Sequence, residues 1–257
     1  MNTEASVSGG QLASLTVGKT VGIAPDAKLY YFAEYHLSEP AVSSYLDTRS
    51  DYKVLQYQPL VEAINRILEL NEMLDESHKI RVICIGQSIP PYSQAFYYVE
   101  ESIKKAQDQG IFVLSTLLYE TTNYTMDFNG LGRDPMADPD DLLSYVPALN
   151  YSTDFYTFGR YIHGKEGLLV PMDSKSTAAP TGRQDYAFYR QNDRNISLAY
   201  IAGIYALACQ VNPEITPDVF WEAALKTGDE LTFTKNNITF KLKTIINPVR
   251  LIEEITS

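Results

Sequence analysis

The sequence predicts an α/β fold, in which a parallel β-sheet is flanked by helices on both faces. Helix and strand patterns alternate along the chain, and this order is typical of parallel strands joined by right-handed helical crossovers. The chain has 257 residues, of which 45% are hydrophobic and 21% are charged. A chain of this size and composition can form one core, so we expect residues 1–257 to be a single domain.

The first predicted elements are two strands with a helix between them. Residues 28–32 include two tyrosines and a phenylalanine, and this aromatic run predicts a short strand. Apolar residues between positions 60 and 70 recur at helical spacing. Residues 80–85 are apolar except for Arg81 and predict a buried strand.

A second helix and strand follow, and then the pattern breaks. The helix is predicted from about 93 to 109 and ends at Gly110, since glycine readily adopts the left-handed conformation found after helices. Residues 111–117 predict the next strand. Residues 120–164 are rich in Asn, Asp, Pro, Tyr and Gly, which indicates a long surface excursion. Core-like sequence resumes at 168–171.

The last part of the chain predicts a core helix, a second helix and a hairpin. Residues 195–211 are apolar on most sides, which is typical of a helix that runs through the core. Thr216 and Pro217 form a helix start, with Thr216 as the N-cap and Pro217 at the first helical position. Residues 233–240 predict a closing hairpin.

Charge and composition exclude several function classes. The net charge is −11 and the isoelectric point is near 4.7, so the chain would be repelled by nucleic-acid phosphates. The sequence contains no apolar run of about 18 residues and no signal peptide at its start, so we expect no membrane insertion. A cytoplasmic location is expected for the chain as written, and an extracellular one if it is a fragment.

Four segments, taken in order, resemble the subtilisin-like serine peptidases. They are V-G-I-A-P-D-A-K-L-Y, R-V-I-C-I-G-Q-S, A-Q-D-Q-G-I-F-V-L-S-T-L and D-R-N-I-S-L-A-Y-I-A-G. In that family they follow the histidine helix, line the substrate groove, lead to the oxyanion-hole asparagine and carry the nucleophile. The resemblance covers most of the chain from about Ser8 onward. It implies a subtilisin-like fold with three layers, α/β/α.

The catalytic positions of the family are occupied by other residues here. The resemblance places Asn195 at the nucleophile, and a carboxamide cannot be converted into an attacking oxyanion. Ser8 takes the place of the general base, and a hydroxyl cannot accept a proton near neutral pH. Tyr119 takes the place of the oxyanion-hole asparagine. Only seven residues precede Ser8, so the strand that carries the family's catalytic aspartate is expected to be missing.

The resemblance therefore implies a catalytically inactive member, a pseudopeptidase that acts as a peptide-binding or protein-binding domain or as a scaffold. A subtilase groove can hold an extended peptide by strand addition without cleaving it. The chain has 19 tyrosines in clusters, and tyrosine suits such recognition. The resemblance gives the following residues as groove residues: Gly86, Gln87, Ser88, Thr116, Leu117 and Leu118.

The alternative is an active serine endopeptidase of the same family, whose chain is truncated or altered at the active site. Ser197 lies two positions beyond the expected nucleophile, about 200° around the helix, so small-residue packing is the simpler interpretation. The candidate bases are His36, His78 and His163, and exposed turns explain all three more simply. The G-x-S-x-G motif of an unrelated hydrolase is absent.

No metal site or cofactor is expected, with calcium as the one alternative. Residues 127–138 partly match a calcium loop, because oxygen ligands stand at the first, third and twelfth places and glycine at the sixth. Leu131 occupies the fifth place, and the twelfth is aspartate instead of glutamate. A solvated acidic loop is the simpler interpretation.

Overall fold

The structure is a computed structural model that describes residues 7–33, 49–86, 94–116, 126–151, 156, 167–235 and 237–257. The chain divides into two compact units. One comprises Met1–Leu29 and Thr122–Ser257, and the other comprises Tyr30–Thr121. Tyr119, His36 and His163 lie outside the described residues.

The larger unit contains most of the elements. Its helices and strands, labelled with those of the smaller unit in chain order, are α1 (Val7–Val17), β3 (Phe128–Arg133), β4 (Tyr145–Pro147), β5 (Leu168–Pro171), β6 (Lys175–Ala178), β7 (Tyr186–Tyr189), α4 (Arg194–Val211), α5 (Pro217–Thr227), β8 (Asp229–Lys235), β9 (Ile238–Ile245) and α6 (Pro248–Thr256). A short 3-10 helix, Leu142–Ser144, precedes β4.

The main sheet of the larger unit is mixed, which corrects the expectation of a wholly parallel sheet. Its strand order is β4-β3-β5-β9-β8. The three central strands are parallel to one another, whereas β4 and β8 run antiparallel at the two edges. The reason is local, since β4 follows β3 through residues 134–144 without the helical crossover that parallel neighbours need, and β8 and β9 form a hairpin. A second, two-stranded antiparallel sheet joins β6 and β7.

Strand β3 lies inside the region that the sequence predicts as a surface excursion. Five of its six residues are buried, so that prediction is wrong for Phe128–Arg133. The strand is hard to predict because it contains Gly130 and Gly132, and glycine is uncommon in strands. A Cβ atom on Gly130 would lie 2.8 Å from the Cβ of Met172, and one on Gly132 would lie 2.8 Å from the carbonyl oxygen of Pro147. Both glycines are therefore required by close packing across the sheet.

The smaller unit confirms the predicted alternation of helices and strands. It contains α2 (Arg49–Met73), β1 (Val82–Ile85), α3 (Gln94–Asp108) and β2 (Phe112–Ser115), with a 3-10 helix at Glu76–His78. Strands β1 and β2 pair in parallel. Helix α3 ends as expected, because Gly110 has a φ of 75°. Residues 28–32 form no strand, and the side chains of Leu29, Tyr31 and Phe32 are exposed, so the aromatic run does not supply a buried strand face.

Helix α4 and its connections match the sequence predictions closely. Thr216 accepts a hydrogen bond from the backbone N–H of Val219 and is the N-cap of α5. Helix α4 is buried at ten of its 18 positions. Gly203 allows α4 to pack on the segment after α1, since a Cβ there would lie 2.7 Å from the Cβ of Ile23. No helix in the described part of the chain is long and apolar enough to span a membrane.

Candidate functional site

A pocket of about 260 Å³ lies in the larger unit, where the start of α1 meets the start of α4. Ser8 and Asn195, the two residues that take the places of the family's base and nucleophile, both line it. The remaining lining residues are Gln11, Leu12, Asn150, Tyr189, Gln191, Asn192, Asp193 and Ile196. The correspondence of Ser8 and Asn195 to catalytic residues of the family stays a prediction. The structure shows that these two residues line the same pocket.

The first turn of α4 is held in a fixed position. The carboxylate of Asp193 caps the helix by accepting a hydrogen bond of 2.9 Å from the backbone N–H of Asn195. Arg194 points away from the pocket toward β3. Its Nη2 donates to the carbonyl oxygen of Phe128 at 2.7 Å and lies 3.4 Å from a carboxylate oxygen of Asp127. This anchoring orients the following residue, Asn195, with respect to the pocket.

One wall of the pocket is supported by the buried carboxylate of Asp173. Only 2% of this residue is exposed. Its two oxygens accept hydrogen bonds from the backbone N–H groups of Leu149, at 2.8 Å, and Asn192, at 2.9 Å. The side chain of Asn192 donates in turn to the carbonyl oxygens of Met172 and Tyr189. A single carboxylate thus links the segment after β4 to the segment before α4.

Carboxamides dominate the polar lining of the pocket. They belong to Gln11, Asn150, Gln191, Asn192 and Asn195. Asn150 donates to the carbonyl oxygen of Asn192 and accepts from the side chain of Gln191. Among the described residues, the lining contains no His, Cys, Lys or Arg, and its one carboxylate is the helix cap. The residues that line this pocket therefore supply hydrogen-bonding groups but no imidazole or thiol for acyl transfer.

The side-chain oxygen of Asn195 is a buried acceptor without a hydrogen-bond partner among the described residues. Most buried polar atoms in folded proteins are paired, and an unpaired one costs about 1 to 3 kcal/mol. Because the terminal torsion of asparagine is soft, turning of the amide can present either its oxygen or its nitrogen to the pocket. Asn195 is therefore a polar group that a bound molecule could satisfy.

Ser197 and His78, two further residues considered for catalysis, lie in surroundings that do not suit that role. Ser197 is completely buried in α4 and does not line the pocket. His78 lies in an exposed turn, as expected, where its Nδ1 is 2.8 Å from a carboxylate oxygen of Asp75. Hydrogen bonds from Ser77 and His78 lower the pKa of Asp75 to about 2. These contacts are those of a solvated turn.

The predicted groove residues lie in the smaller unit. Gly86 is exposed and directly follows β1, and Thr116 directly follows β2 and is 8% exposed. Each stands at the carboxyl end of a parallel strand, where ligand-binding residues of α/β folds commonly lie. The other predicted groove residues, Gln87, Ser88, Leu117 and Leu118, lie outside the described residues.

The calcium-loop interpretation of residues 127–138 does not match the structure. Phe128–Arg133 forms strand β3, so half of the supposed loop is extended backbone. Asn129 is buried in that strand, and the carboxylate of Asp127 contacts Arg194. The described residues contain no group of three or more His, Cys, Asp or Glu side chains placed to bind a metal ion.

Sequence patterns missed most of the pocket wall. Asp173, Asn150 and Asn192 come from three separate segments, and none belongs to a motif. One available signal was the position of Asp173, two residues after the core-like run that forms β5. A polar residue at the carboxyl end of a parallel strand is a recognised signal of a site in α/β folds.

Lys175 lies beside the pocket wall and gives a testable pH effect. It pairs across strands with the pocket residue Tyr189, and its Nζ is 5.3 Å from the centre of the Tyr200 ring. Burial, with a smaller contribution from the charge of Arg133, lowers the pKa of Lys175 from 10.5 to about 8. Between these two values Lys175 is protonated in the unfolded chain and neutral in the folded one, so this residue contributes a rise in stability with pH from about 8 to 10.5.

Lys175→Met should remove that rise and increase the free energy of unfolding at pH 7 by about 1 kcal/mol, because it removes a poorly solvated charge. The loss of the contact with Tyr200 is included in this net value. Urea unfolding curves at several pH values between 7 and 10.5 would measure both effects. Lys19→Met, at an exposed position, is the matched control and should keep the rise. An unchanged pH profile in Lys175→Met would contradict the assignment.

The fold is subtilisin-like, as comparison with solved structures shows. No protein-family model matches the sequence, and no curated protein matches it. Solved structures do match. The prenylagaramide maturation protease PagA aligns with a TM-score of 0.57 and 15% identity, over 100% of this chain and 86% of PagA.

Two further structures support the same fold. Subtilase cytotoxin SubAB aligns with a TM-score of 0.62 and 12% identity, over 99% of this chain and 78% of the toxin chain. The PatG macrocyclase in complex with peptide aligns with a TM-score of 0.50 and 18% identity, over 88% of this chain and 61% of PatG. At these identities the likeness shows the fold alone.

Proposed function

We propose that this protein is a pseudopeptidase of subtilisin-like fold that binds a peptide segment and does not cleave it. The observation that carries the proposal is the pocket at which Ser8 and Asn195 meet. The family resemblance places the catalytic base and nucleophile at these two residues, whereas the described lining side chains are amides, hydroxyls, apolar groups and the carboxylate of Asp193. In this proposal the fold keeps the position of the catalytic centre, and Ser8 and Asn195 replace the catalytic base and nucleophile.

Acyl transfer by serine needs a hydroxyl whose proton passes to a neighbouring base. At this pocket Asn195 supplies a carboxamide, and Ser8 is an exposed hydroxyl with no imidazole among the lining residues. The carboxylate of Asp193 is engaged in capping α4. The lining residues can therefore hold a peptide carbonyl or N–H group, but they provide no general base near neutral pH.

A peptide ligand follows from the fold and the polar lining. The PatG macrocyclase, which shares the fold, is a structure in complex with peptide. From the family resemblance, we assign Gly86, Gln87 and Ser88 as residues that pair with the peptide backbone by strand addition, and Thr116, Leu117 and Leu118 as the wall of a specificity pocket. We assign Tyr119 to the position of the family's oxyanion-hole asparagine. Tyrosine suits peptide recognition, and exposed tyrosines occur in both units: Tyr186 in the larger one, and Tyr31, Tyr97 and Tyr98 in the smaller one.

The test combines an activity probe with a binding screen. A fluorophosphonate, which labels only activated serine hydroxyls, should leave the protein unlabelled. An array of extended peptides should give ligands whose affinity falls at least about tenfold in Gly86→Pro, because proline cannot donate a backbone hydrogen bond to an added strand. Gly86→Ala keeps the N–H group and is the matched control. An array without any ligand would overturn the proposal.

The second candidate is a serine endopeptidase of the same fold, which is favoured by the likeness to the PagA maturation protease. Its only described serine near the expected nucleophile on α4 is Ser197, which is fully buried. Covalent fluorophosphonate labelling that disappears in Ser197→Ala would establish this candidate and exclude the pseudopeptidase.

A further inference from the structure

We infer that the pocket selects a carboxamide side chain, so that the bound peptide places a glutamine or an asparagine between Ser8 and Asn195. This inference rests on the proposed function and specifies its ligand. It follows from the hydrogen-bonding capacity, the charge and the size of the pocket, which are independent of whether the fold once carried out catalysis.

The pocket has one rigid polar wall and one unoccupied polar face. Asn150, Gln191 and Asn192 are tied to one another and to backbone carbonyl oxygens. On the other face, the side chains of Ser8 and Asn195 make no hydrogen bond to any residue in the described ranges, and neither does Gln11. Ser8, Gln11 and Asn195 line the same pocket, and turning of the Asn195 amide about its terminal torsion would give a ligand access to the oxygen that is now buried.

A ligand group that both donates and accepts is the one that satisfies this face. A carboxamide has two N–H donors and a carbonyl acceptor, which match the hydroxyl of Ser8 and the amide of Asn195. An apolar group would leave these polar atoms without water and without partners, at about 1 to 3 kcal/mol for each buried group. The lining therefore disfavours aliphatic side chains.

Charge excludes the other polar side chains. The described part of the chain contributes no Lys or Arg to the lining that could pair with a carboxylate, and the one charged group that it contributes, Asp193, would repel an anion. A cationic side chain would meet only this exposed carboxylate, and exposed pairs contribute little. The remaining amides would compensate poorly for the lost hydration of a full charge. A neutral polar group has neither disadvantage.

The volume of about 260 Å³ agrees with one side chain and its flanking backbone. Sites for whole cofactors or drug-sized molecules occupy about 300 to 1,000 Å³, so the pocket is at the small end of ligand sites. A glutamine or asparagine side chain entering from an extended peptide fits this scale. The pocket is thus a specificity site for one residue of the ligand.

The experiment uses the full chain and six peptides of the form acetyl-Ala-Ala-X-Ala-Ala-methylamide, in which X is Gln, Asn, Glu, Asp, Leu or Lys. Isothermal titration should give the tightest binding for Gln or Asn, by about tenfold or more over the other four. Raising the salt concentration from 50 to 500 mM should change the affinity of the best peptide less than about twofold, because no ion pair forms.

Two variants test the assigned residue. Asn195→Leu should bind the six peptides with less than about threefold discrimination, since the group that pairs with the amide is lost. Gln107→Leu changes an exposed amide on α3 and should keep the discrimination. Circular dichroism verifies that both variants are folded, and Asn195→Ser is the substitute if Asn195→Leu is not. Either variant at position 195 that keeps the wild-type preference overturns the inference.

The outcomes separate the inference from the proposed function. Tightest binding of the Glu, Asp, Lys or Leu peptide would overturn the carboxamide selection and leave peptide binding intact. If none of the six peptides binds while the array yields ligands, the inference fails alone. If neither the panel nor the array yields a ligand, both fail.

Discussion

Replacing Asp173 with alanine should lower the free energy of unfolding by about 3 kcal/mol and abolish ligand binding at the pocket. The carboxylate is almost completely buried and accepts hydrogen bonds from the backbone N–H groups of Leu149 and Asn192. Alanine leaves both N–H groups without their acceptor, and each costs about 1 to 3 kcal/mol. The pocket wall that contains Asn150 and Asn192 would then lose its support.

Urea unfolding and titration with the best peptide would measure the two effects. Asp173→Asn keeps one side-chain acceptor and should lose about half as much stability. This variant therefore shows whether the loss of stability follows the number of hydrogen bonds that are lost. Asp138→Ala changes an exposed carboxylate that caps a local turn, and it should leave peptide affinity unchanged. An Asp173→Ala protein that unfolds at the wild-type urea concentration and binds normally would refute the assigned role.

Gly130→Ala should lower the free energy of unfolding by about 2 to 3 kcal/mol, although it adds a single methyl group. A Cβ atom at position 130 would meet the side chain of Met172, lying 2.8 Å from its Cβ and 2.9 Å from its Cε. The carbonyl oxygen of Gly130 also accepts a hydrogen bond of 2.6 Å from the buried hydroxyl of Tyr156, which restrains the backbone. Overpacking of a rigid core typically costs 1 to 3 kcal/mol.

The matched control is Gly10→Ala on helix α1, where a Cβ would meet no atom within 4 Å. That variant should gain about 0.5 to 1 kcal/mol, because alanine favours a helix more than glycine does. Thermal and urea unfolding of the two variants should therefore shift in opposite directions. A Gly130→Ala protein as stable as the wild type would show that strand β3 does not pack against Met172 as described.

Local signals in the sequence predicted helices α2, α3, α4 and α5 of this protein. Leu60, Ile64 and Leu68 repeat at helical spacing and form the buried side of α2. Gly110 and Thr216 mark a helix end and a helix start by the conformation and the capping that each provides. These features depend on neighbouring residues alone, so a single sequence contains them.

The central strand and the pocket wall depend on distant contacts and could not be predicted in the same way. In the sequence, Gly130 and Gly132 are typical of loops. Their role in a strand becomes clear only from their close contacts with Met172 and Pro147. In the sequence, Asp173 resembles any loop aspartate. Its role depends on hydrogen bonds from the backbone of Leu149 and Asn192, which are 24 and 19 positions away in the chain. The mixed sheet also depends on pairings between separate segments, since β4 is antiparallel to β3 whereas β5 is parallel to it.

The candidate site was predicted in part, through the family resemblance and not through any pattern of its own. The resemblance pointed to Ser8 and Asn195, which are 187 positions apart, and the structure places both at one pocket. It gave no indication of the surrounding amides, because Asn150 and Gln191 belong to segments without a family motif. The chemical character of the pocket therefore required the three-dimensional structure.

The fate of a bound peptide tests most directly whether the protein binds peptides without cleaving them. The protein, in excess over the tightest ligand from the array, should be incubated for a day at pH 7.5 and the peptide followed by mass spectrometry. If the protein is a pseudopeptidase, the spectrum should show a single peptide mass that stays unchanged while the peptide remains bound. Peptide fragments that form with the wild-type protein and are absent with Ser197→Ala or Ser8→Ala would contradict it.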